Sequence, residues 1–336
     1  MRTLLIILAS LIVGAGGALY ADRQPDIHWQ IDRVFDRFSL PSSDVDLESG
    51  GVEAATLADY SLEPCFFRDP SHADEPPAWM QRSSLSAGAR ERSAERPFPD
   101  LEAFPGLVKL EQVLSAGGTQ RHHCAATRIS EHWFLTANHC VRMRGPTSQV
   151  IDMILIAPAH DVMQPETVIV PIEGAVCHSA WYSDTGKFDD DIALVYVEDT
   201  EPLSEVEIAR TDLGDMPLLI GAGDTAYFAG WGKNGQNRFL QGGPLVVRNV
   251  GETFIMVDNG GRFAPCVGDS GGPLYVPTSN GPQVVGVLSS VTVDACPPFD
   301  RAFYMRVKSF DVWMRRAMSI CEQGGRFVCL RPEGEA

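Results

Sequence analysis

Short apolar runs separated by glycine, proline and polar residues fill the chain from residue 101 onward. Runs of this length and spacing are typical of the strands of a β-barrel or β-sandwich. They predict strands over residues 107–110, 125–129, 133–136, 150–156, 168–172, 192–197, 226–229, 245–250, 253–257 and 283–288. One helix is predicted over residues 311–320, because its apolar residues follow helical spacing. The pattern therefore indicates an all-β domain with a single C-terminal helix.

The first 21 residues have the pattern of a secretory signal peptide. Arg2 precedes an apolar run over residues 4–13, and small residues then offer cleavage after Ala18 or Ala21. The alternatives are an uncleaved anchor or a buried core helix, although the run is short for a membrane span. We expect a secreted or periplasmic protein that touches the membrane only through this segment, and only if the segment stays uncleaved.

Residues 22–100 differ in composition from the region that follows. Residues 27–38 have the apolar spacing of one short amphipathic helix, and the stretches after them are rich in Ser, Asp, Glu, Pro and Arg. Such a segment buries little apolar surface, which favours a partly disordered propeptide or linker before a domain at 101–330. The alternative is an ordered segment that wraps over that domain.

Composition and charge limit the classes of function. The 336 residues carry a formal net charge of −17, whereas nucleic-acid binding requires a basic surface. We therefore expect no nucleic-acid partner. Eight cysteines behind a signal peptide predict disulfide bonds. The sequence leaves the oligomeric state open.

Two stretches resemble cofactor or metal motifs without fitting them. The histidines and the cysteine within residues 122–132 do not have the spacing of a zinc site. Residues 221–226 have the glycine pattern of a dinucleotide fingerprint, but a strand and turn follow where the pyrophosphate requires a helix. We expect neither a metal nor a cofactor.

The stretch 266–273, Cys-Val-Gly-Asp-Ser-Gly-Gly-Pro, predicts a tight turn around a serine. Such a turn exposes the Ser270 hydroxyl and aims the backbone N–H groups of Gly268 and Ser270 at one point. A nucleophilic serine needs both, because attack on a carbonyl creates an oxyanion that N–H groups stabilise. The alternative is an ordinary surface loop, so the chain must also supply a general base.

Two upstream stretches supply that base and a carboxylate. His139 lies in Phe-Leu-Thr-Ala-Asn-His-Cys at 134–140, and Asp191 directly precedes Ile-Ala-Leu. In the order His, Asp, Ser, the three stretches resemble the chymotrypsin-like (trypsin-fold) serine peptidases over residues 101–320. The resemblance implies two six-stranded antiparallel β-barrels with a C-terminal helix, and an endopeptidase that acts on proteins or peptides.

The resemblance also implies roles for individual residues. Ser270 is the nucleophile, His139 is the general base, and Asp191 orients the imidazole. Asp189 and Asp190 are then solvated loop charges.

Further positions follow from the same resemblance. Ser289 supports the triad aspartate and begins the strand that holds the substrate backbone. Ala264 lies at the base of the primary specificity pocket, and Val291 and Ala302 replace glycines on its walls. This uncharged, narrowed pocket predicts cleavage after small or medium apolar residues. At Asn138 the chain departs from the family, which usually has alanine before the histidine.

The cysteine framework is implied in part by the resemblance. It pairs Cys124 with Cys140 beside the histidine, and Cys266 with Cys296 across the pocket. The remaining four cysteines allow three pairings: Cys65, Cys177, Cys321 and Cys329. We favour Cys321–Cys329, a short loop, which leaves Cys65–Cys177 to tether the N-terminal region to the barrel.

Activation departs from the family pattern. Family zymogens are cut before an Ile-Val-Gly-Gly-like start, and the new amino group pairs with the aspartate before the nucleophile, here Asp269. No such tetrapeptide occurs over residues 90–100. A buried, unpaired carboxylate is strongly unfavourable, so His122, an arginine or a cluster of backbone N–H groups has to satisfy it.

Two hypotheses about function follow. The first is an endopeptidase whose activity does not depend on a freshly cut terminus. The alternative is a non-catalytic or partner-activated protein of the same fold that binds or regulates another protein.

Overall fold

The computed structural model describes residues 62–68, 101–114, 120–142, 150–157, 160–164, 167–178, 190–211, 220–233, 236, 238–258, 264–292, 301–324 and 327–329. These residues contain fifteen strands and one α-helix, α1 (Asp311–Glu322). The predicted all-β fold with a C-terminal helix is confirmed. The strands are β1 (Leu62–Phe67), β2 (Leu107–Leu114), β3 (Gln120–Arg128), β4 (Trp133–Thr136), β5 (Val150–Ala157), β6 (Val168–Pro171), β7 (Gly174–His178), β8 (Ala193–Tyr196), β9 (Arg210–Thr211), β10 (Thr225–Gly230), β11 (Gln241–Val250), β12 (Phe254–Asp258), β13 (Pro273–Thr278), β14 (Gly281–Val291) and β15 (Arg301–Arg306).

The first eight strands form one antiparallel sheet in the order β1-β7-β8-β4-β3-β2-β5-β6. The central strand β4 is buried at every position, as a strand covered on both faces should be. This half-barrel has eight strands where the resemblance implied six. The addition at one edge, β1, comes from the region before residue 101 and pairs along β7, from Leu62 opposite His178 to Phe67 opposite Gly174.

The second barrel is closed by six strands in the order β13-β10-β11-β12-β15-β14, with β14 pairing back onto β13. The short strand β9 adds to β14 in parallel. Alternate residues of β11 and β12, among them Leu245, Val247, Ile255 and Val257, point into the core and are fully buried. Closure pairs both edges of the six-stranded barrel, which leaves no open edge among those six strands.

Disulfides join Cys124 to Cys140, Cys65 to Cys177, and Cys321 to Cys329. Cys266 is also disulfide-bonded. Its expected partner, Cys296, lies outside the described residues, as do the signal-peptide and amphipathic-helix predictions for residues 1–38.

Charge pairing reinforces the attachment of β1. At its end, the Arg68 N–H donates to the Glu173 carbonyl at 3.0 Å, and its guanidinium lies 3.2 Å from the Glu173 carboxylate. The Arg68 Nε also lies 3.8 Å from Asp152, which is fully buried. At the other end, Glu63 lies 2.6 Å from Arg142, two residues beyond the Cys140 disulfide. Residues 62–68 are therefore part of the first sheet and supply a cation to a carboxylate inside it.

The C-terminal helix packs on the last residue of β7. The His178 ring lies edge-on to Phe310 and Trp313, with 5.3 Å between the ring centroids in each case. Its Nδ1 lies 3.5 Å from the Asp190 carboxylate. Burial nevertheless lowers the pKa of His178 to about 4, so the ring is neutral near pH 7. Within the described residues, no helix is long and apolar enough to span a membrane.

The loop lengths of two disulfides give a stability prediction. Cys65–Cys177 closes 112 residues and Cys321–Cys329 closes 8. A disulfide restricts the unfolded chain more strongly when the loop it closes is longer. Replacing both members of the first pair by serine should therefore lower the free energy of unfolding by about 4–5 kcal/mol, and replacing both members of the second pair should lower it by about 2–3 kcal/mol. Denaturant unfolding of both double variants measures this, and an equal or reversed order would contradict it.

The buried His178 predicts a pH dependence of stability. The folded ring binds a proton only below about pH 4, whereas the unfolded ring does so below its ordinary value of 6.5. Stability is therefore lost as pH falls through this window, because the unfolded state then binds more protons. His178→Gln should weaken that loss by on the order of 3 kcal/mol. Unfolding between about pH 7 and pH 4 tests it, and an unchanged slope would argue against a neutral buried ring.

Candidate active site

His139 is held by the turn that follows β4. A single turn of 3-10 helix, Asn138–Cys140, begins directly after the buried Thr136 and Ala137. The Thr136 hydroxyl donates to the Ala125 carbonyl on β3 at 2.8 Å. Next to the histidine, Cys140 is bonded through its sulfur to β3. The backbone around His139 is thus fixed on both sides, and only its ring reaches partial exposure.

Asn138 accounts for the departure from the family pattern. Its side chain is fully buried, and its Nδ2 donates to the His178 carbonyl on β7 at 3.1 Å. Alanine could not make this bond. The amide therefore ties the histidine turn to the strand that also carries Cys177.

Asp191 is the carboxylate that meets His139. It is fully buried, and its Oδ1 accepts the His139 backbone N–H at 2.8 Å while its Oδ2 lies 2.7 Å from the His139 Nδ1. The Ser289 hydroxyl of β14 donates to the same Oδ2 at 2.7 Å. Because the His139 Nδ1 faces a hydrogen-bond acceptor, its ring proton is assigned to Nδ1, which leaves the Nε2 lone pair available as a base.

Asp190 corrects the expectation of a solvated loop charge. Its side chain is only 17% exposed and faces the buried His178 ring. Its backbone is left-handed, with φ 61°, a conformation that aspartate tolerates better than most residues. Its carbonyl accepts the Ile192 N–H at 2.8 Å, and this turn aims Asp191 at the histidine. Asp189 lies outside the described residues.

Backbone hydrogen bonds attach the nucleophile loop to the first sheet and to the second barrel. The Ala125 N–H on β3 donates to the Ser270 carbonyl at 2.7 Å, and the Gly271 N–H donates to Leu288 on β14 at 2.8 Å. Within the described part of the chain, no hydrogen bond joins the Ser270 hydroxyl to the His139 ring. Such bonds are often long in unliganded active sites and tighten when substrate binds.

Two N–H groups beside Ser270 are available to a ligand. Those of Gly268 and Ser270 donate to no acceptor among the described residues, whereas the intervening Asp269 N–H bonds to Cys266 at 2.9 Å. Gly268 has φ 96°, which glycine adopts without strain. The turn thus leaves the two predicted oxyanion donors without internal partners.

The Asp269 carboxylate lies in a socket of backbone. It is 2% exposed, and it accepts the Gly232 N–H at 2.6 Å and the Cys266 N–H at 2.8 Å. A side chain at Gly230 or Gly232 would overlap the carboxylate, which explains the Gly-Trp-Gly sequence at 230–232. Of the partners expected for Asp269, the cluster of backbone N–H groups is the one that makes hydrogen bonds.

These two hydrogen bonds only partly compensate the cost of burying the Asp269 carboxylate. Burial raises the pKa of its carboxyl to about 7, against the lowering effect of the Cys266 and Gly232 N–H groups and of the Lys109 ammonium. His122, the other expected partner, lies instead 4.0 Å from the Cys124 sulfur. Burial and the nearby His139 lower the pKa of His122 to about 4.

The predicted pocket residues share one part of the second barrel. Ala264 and Ala302 are buried in its core, and Val291 pairs directly opposite Ala302 between β14 and β15. Ser289 lies two residues before Val291 on the same strand. No charged side chain is among these four residues.

Three possible metal donors also meet at this site. Donor atoms of Cys124, His139 and Cys140 lie within 4.8 Å of one another. Both sulfurs are joined in a disulfide, however, and metals bind thiolates. The group therefore does not have the chemistry of a metal centre.

Comparison with known proteins agrees with this arrangement. The family model described as Trypsin matches residues 103–314. Proproteinase E of Bos taurus is 27% identical over 59% of this chain and 84% of its own length. Chymotrypsin-like elastase family member 1 is 25% identical in Homo sapiens, over 65% of this chain and 88% of its own length. The rat protein of that name is 26% identical, over 65% and 86%. The chain belongs to the trypsin family of chymotrypsin-like proteins.

Proposed function

We propose that this protein is a serine endopeptidase that hydrolyses peptide bonds in protein or peptide substrates. The observation that carries the proposal is the pair formed by His139 and the fully buried Asp191, with 2.7 Å between Nδ1 and Oδ2. A buried carboxylate in this position orients the ring and stabilises the imidazolium that forms during acyl transfer. The N–H groups of Gly268 and Ser270, which donate to no acceptor among the described residues, supply the complementary electrostatic element.

The reaction follows from these positions. Substrate binding brings the scissile carbonyl carbon to the Ser270 Oγ, and the His139 Nε2 takes the hydroxyl proton as the new C–O bond forms. The carbonyl oxygen becomes an oxyanion that accepts hydrogen bonds from the Gly268 and Ser270 N–H groups. His139 then gives the proton to the leaving amine, and water repeats the sequence to release the acid and regenerate Ser270.

The pocket residues favour small substrate side chains. Ala302 is fully buried and Ala264 nearly so, and Val291 lies directly opposite Ala302 on the neighbouring strand. None of the four predicted pocket residues, all of which the structure describes, carries a charge that could pair with a lysine or arginine of the substrate. Elastases have a small primary pocket, and two of the relatives bear that name. We therefore assign a preference for Ala, Val or Leu before the scissile bond.

The proposal includes the route out of the cytoplasm. Residues 1–21 act as a signal peptide, and residues 22–100 form a proregion ahead of the peptidase domain at 101–330. The strand at 62–67 and its disulfide keep that proregion attached to the domain after any cut between residues 68 and 101. Disulfides of this number suit an oxidising compartment.

A second function is favoured by one observation. Because no hydrogen bond joins Ser270 to His139 among the described residues, the second candidate is a protein of this fold that requires a partner to become competent or that acts by binding alone. The enzyme and the binding protein differ in one measurable property, the reactivity of Ser270.

Covalent labelling by a fluorophosphonate probe tests the proposed function. The intact protein should label at Ser270, and Ser270→Ala should abolish labelling. Asp191→Asn should slow labelling and peptide hydrolysis by about 10³–10⁴-fold, because the ring then loses the tautomer that it needs. Ser289→Ala removes only one hydrogen bond to Asp191 and serves as the matched control, with a loss of roughly tenfold. An unlabelled but folded protein would favour the binding function.

Peptide-library profiling tests the pocket. The unaltered enzyme should cleave after Ala, Val or Leu, and Val291→Gly combined with Ala302→Gly should extend cleavage to Phe and Tyr by opening the pocket. The two changes together remove four carbon atoms, and a single methylene in a pocket is worth about 1–3 kcal/mol, so the shift in relative kcat/KM should be at least roughly 10–100-fold. A profile dominated by Arg and Lys would contradict the assignment.

A further inference from the structure

Lys109 is a buried charge that takes no part in the proposed triad. It lies on β2 with only 1% of its side chain exposed. Its ammonium lies 2.9 Å from the Glu111 carboxylate, which in turn lies 3.3 Å from the His123 ring. Lysine and glutamate are seldom fully buried unless they are paired. A surface charge improves solubility, but a buried one does not. The buried position of the Lys109 ammonium therefore needs another explanation.

The register of the strands shows which way this group faces. Lys109 pairs with Ala125 and Glu111 pairs with His123, so all four side chains lie on one face of the sheet. Ala125 donates its N–H to the Ser270 carbonyl at 2.7 Å, and its Cβ would lie 3.5 Å from a Cβ built at Gly272. That face of the sheet is therefore the one against which the nucleophile loop packs.

Asp269 is the carboxylate of that loop, and Lys109 acts on it. The Lys109 ammonium lowers the pKa of the Asp269 carboxyl against the raising effect of burial. Tyr304, on β15 of the second barrel, is fully buried and interacts electrostatically with Asp269. Its hydroxyl has no hydrogen-bond partner within the described residues. The backbone N–H groups of Gly232 and Cys266 complete its surroundings. Lys109 supplies the positive charge in this set.

We propose that Lys109 is a positioning residue whose buried ammonium favours the charged form of the Asp269 carboxylate, so that the nucleophile loop is ordered without a freshly cut amino terminus. The inference rests on the proposed peptidase function. A charged carboxylate accepts strong hydrogen bonds from Gly232 and Cys266, whereas a protonated one accepts them weakly. Loss of those bonds would release the turn that holds the Gly268 and Ser270 N–H groups.

Glu111 sets the strength of this effect. Burial raises the pKa of its carboxyl, but the hydrogen bond from His123 and the ammonium of Lys109 outweigh burial and bring it to about 2. Glu111 is therefore an anion near pH 7 and competes with Asp269 for the same ammonium. Removing Lys109 should therefore raise the pKa of Asp269, and removing Glu111 should lower it. A purely structural role of the two residues does not predict opposite shifts.

Active-site titration of the full chain measures the fraction of enzyme with an ordered loop as a burst amplitude. With Lys109→Met, we expect about a fivefold or larger fall in amplitude near pH 7 and recovery near pH 9, where Asp269 ionises unaided. Lys109→Arg should retain the parent amplitude. Lys308→Met, which removes an ion pair with Asp311 far along the chain, is the matched control and should not change it. An unchanged amplitude in Lys109→Met at every pH would overturn the proposal.

A second measurement does not depend on activity. If Lys109→Met raises the pKa of Asp269 by about one unit, the ratio of the unfolding constants of variant and parent should grow about tenfold between about pH 6 and pH 9. A pH-independent ratio would overturn the proposal. If the parent gives no burst, the proposed function is wrong, and this measurement alone decides on Lys109.

Two further variants complete the test. If Lys109→Met does not fold, Glu111→Gln decides, because it frees the ammonium for Asp269. Its burst amplitude near pH 6 should exceed that of the parent by at least about twofold, and an equal or lower amplitude would overturn the proposal. Replacing Arg82, Arg90, Arg92 and Arg96 by glutamine in the full chain removes the basic cut sites between residues 68 and 101 and should leave the burst intact. Loss of the burst there would show that a cut terminus is required.

Discussion

Burial of the Asp191 carboxylate is the constraint on which the site depends. A charge removed from water is tolerated only when hydrogen bonds replace its solvation. Asp191 receives them from the backbone and ring of His139 and from the hydroxyl of Ser289. The first two belong to the first sheet and the third to the second barrel. The carboxylate can therefore be satisfied only when both barrels are folded and packed together, and the same condition aligns the histidine.

The elements around this carboxylate serve that alignment. The strand β4 carries the histidine turn, β8 follows the aspartate, and the two strands pair with Thr136 opposite Ala193. Cys140 and Asn138 fix the turn from either side, through a disulfide to β3 and a hydrogen bond to β7. Because each restraint comes from a different strand, a shift of any one strand would move His139 relative to Asp191. The distance between His139 and Asp191 is therefore set by the packing of the whole first sheet.

Ten of the fifteen described strands, and the three stretches that supply His139, Asp191 and Ser270, were recognisable in the sequence, because short-range chemistry determines both. Strands with internal or initial proline were not: β1 contains Pro64, and β13 begins at Pro273, so both resemble turns. The predicted strand at 107–110 ends where Glu111 and Gln112 begin, yet β2 continues to Leu114. Polar residues look like loop in a sequence, and only partners on neighbouring strands make their burial tolerable. For the same reason Asn138 had no predicted role, since its acceptor is 40 residues away.

The two buried aspartates of the site are satisfied in different ways, and the difference has consequences. Asp191 accepts side-chain and backbone donors, whereas Asp269 accepts two backbone N–H groups and has a pKa near 7. A carboxylate with that pKa is only partly ionised at neutral pH, so its hydrogen bonds respond to any nearby charge. Because residues 90–100 contain no Ile-Val-Gly-Gly-like start, a buried lysine supplies a charge that does not have to be generated by proteolysis there. Under the role proposed for Lys109, the order of the nucleophile loop depends on packing within the folded chain and not on a proteolytic cut.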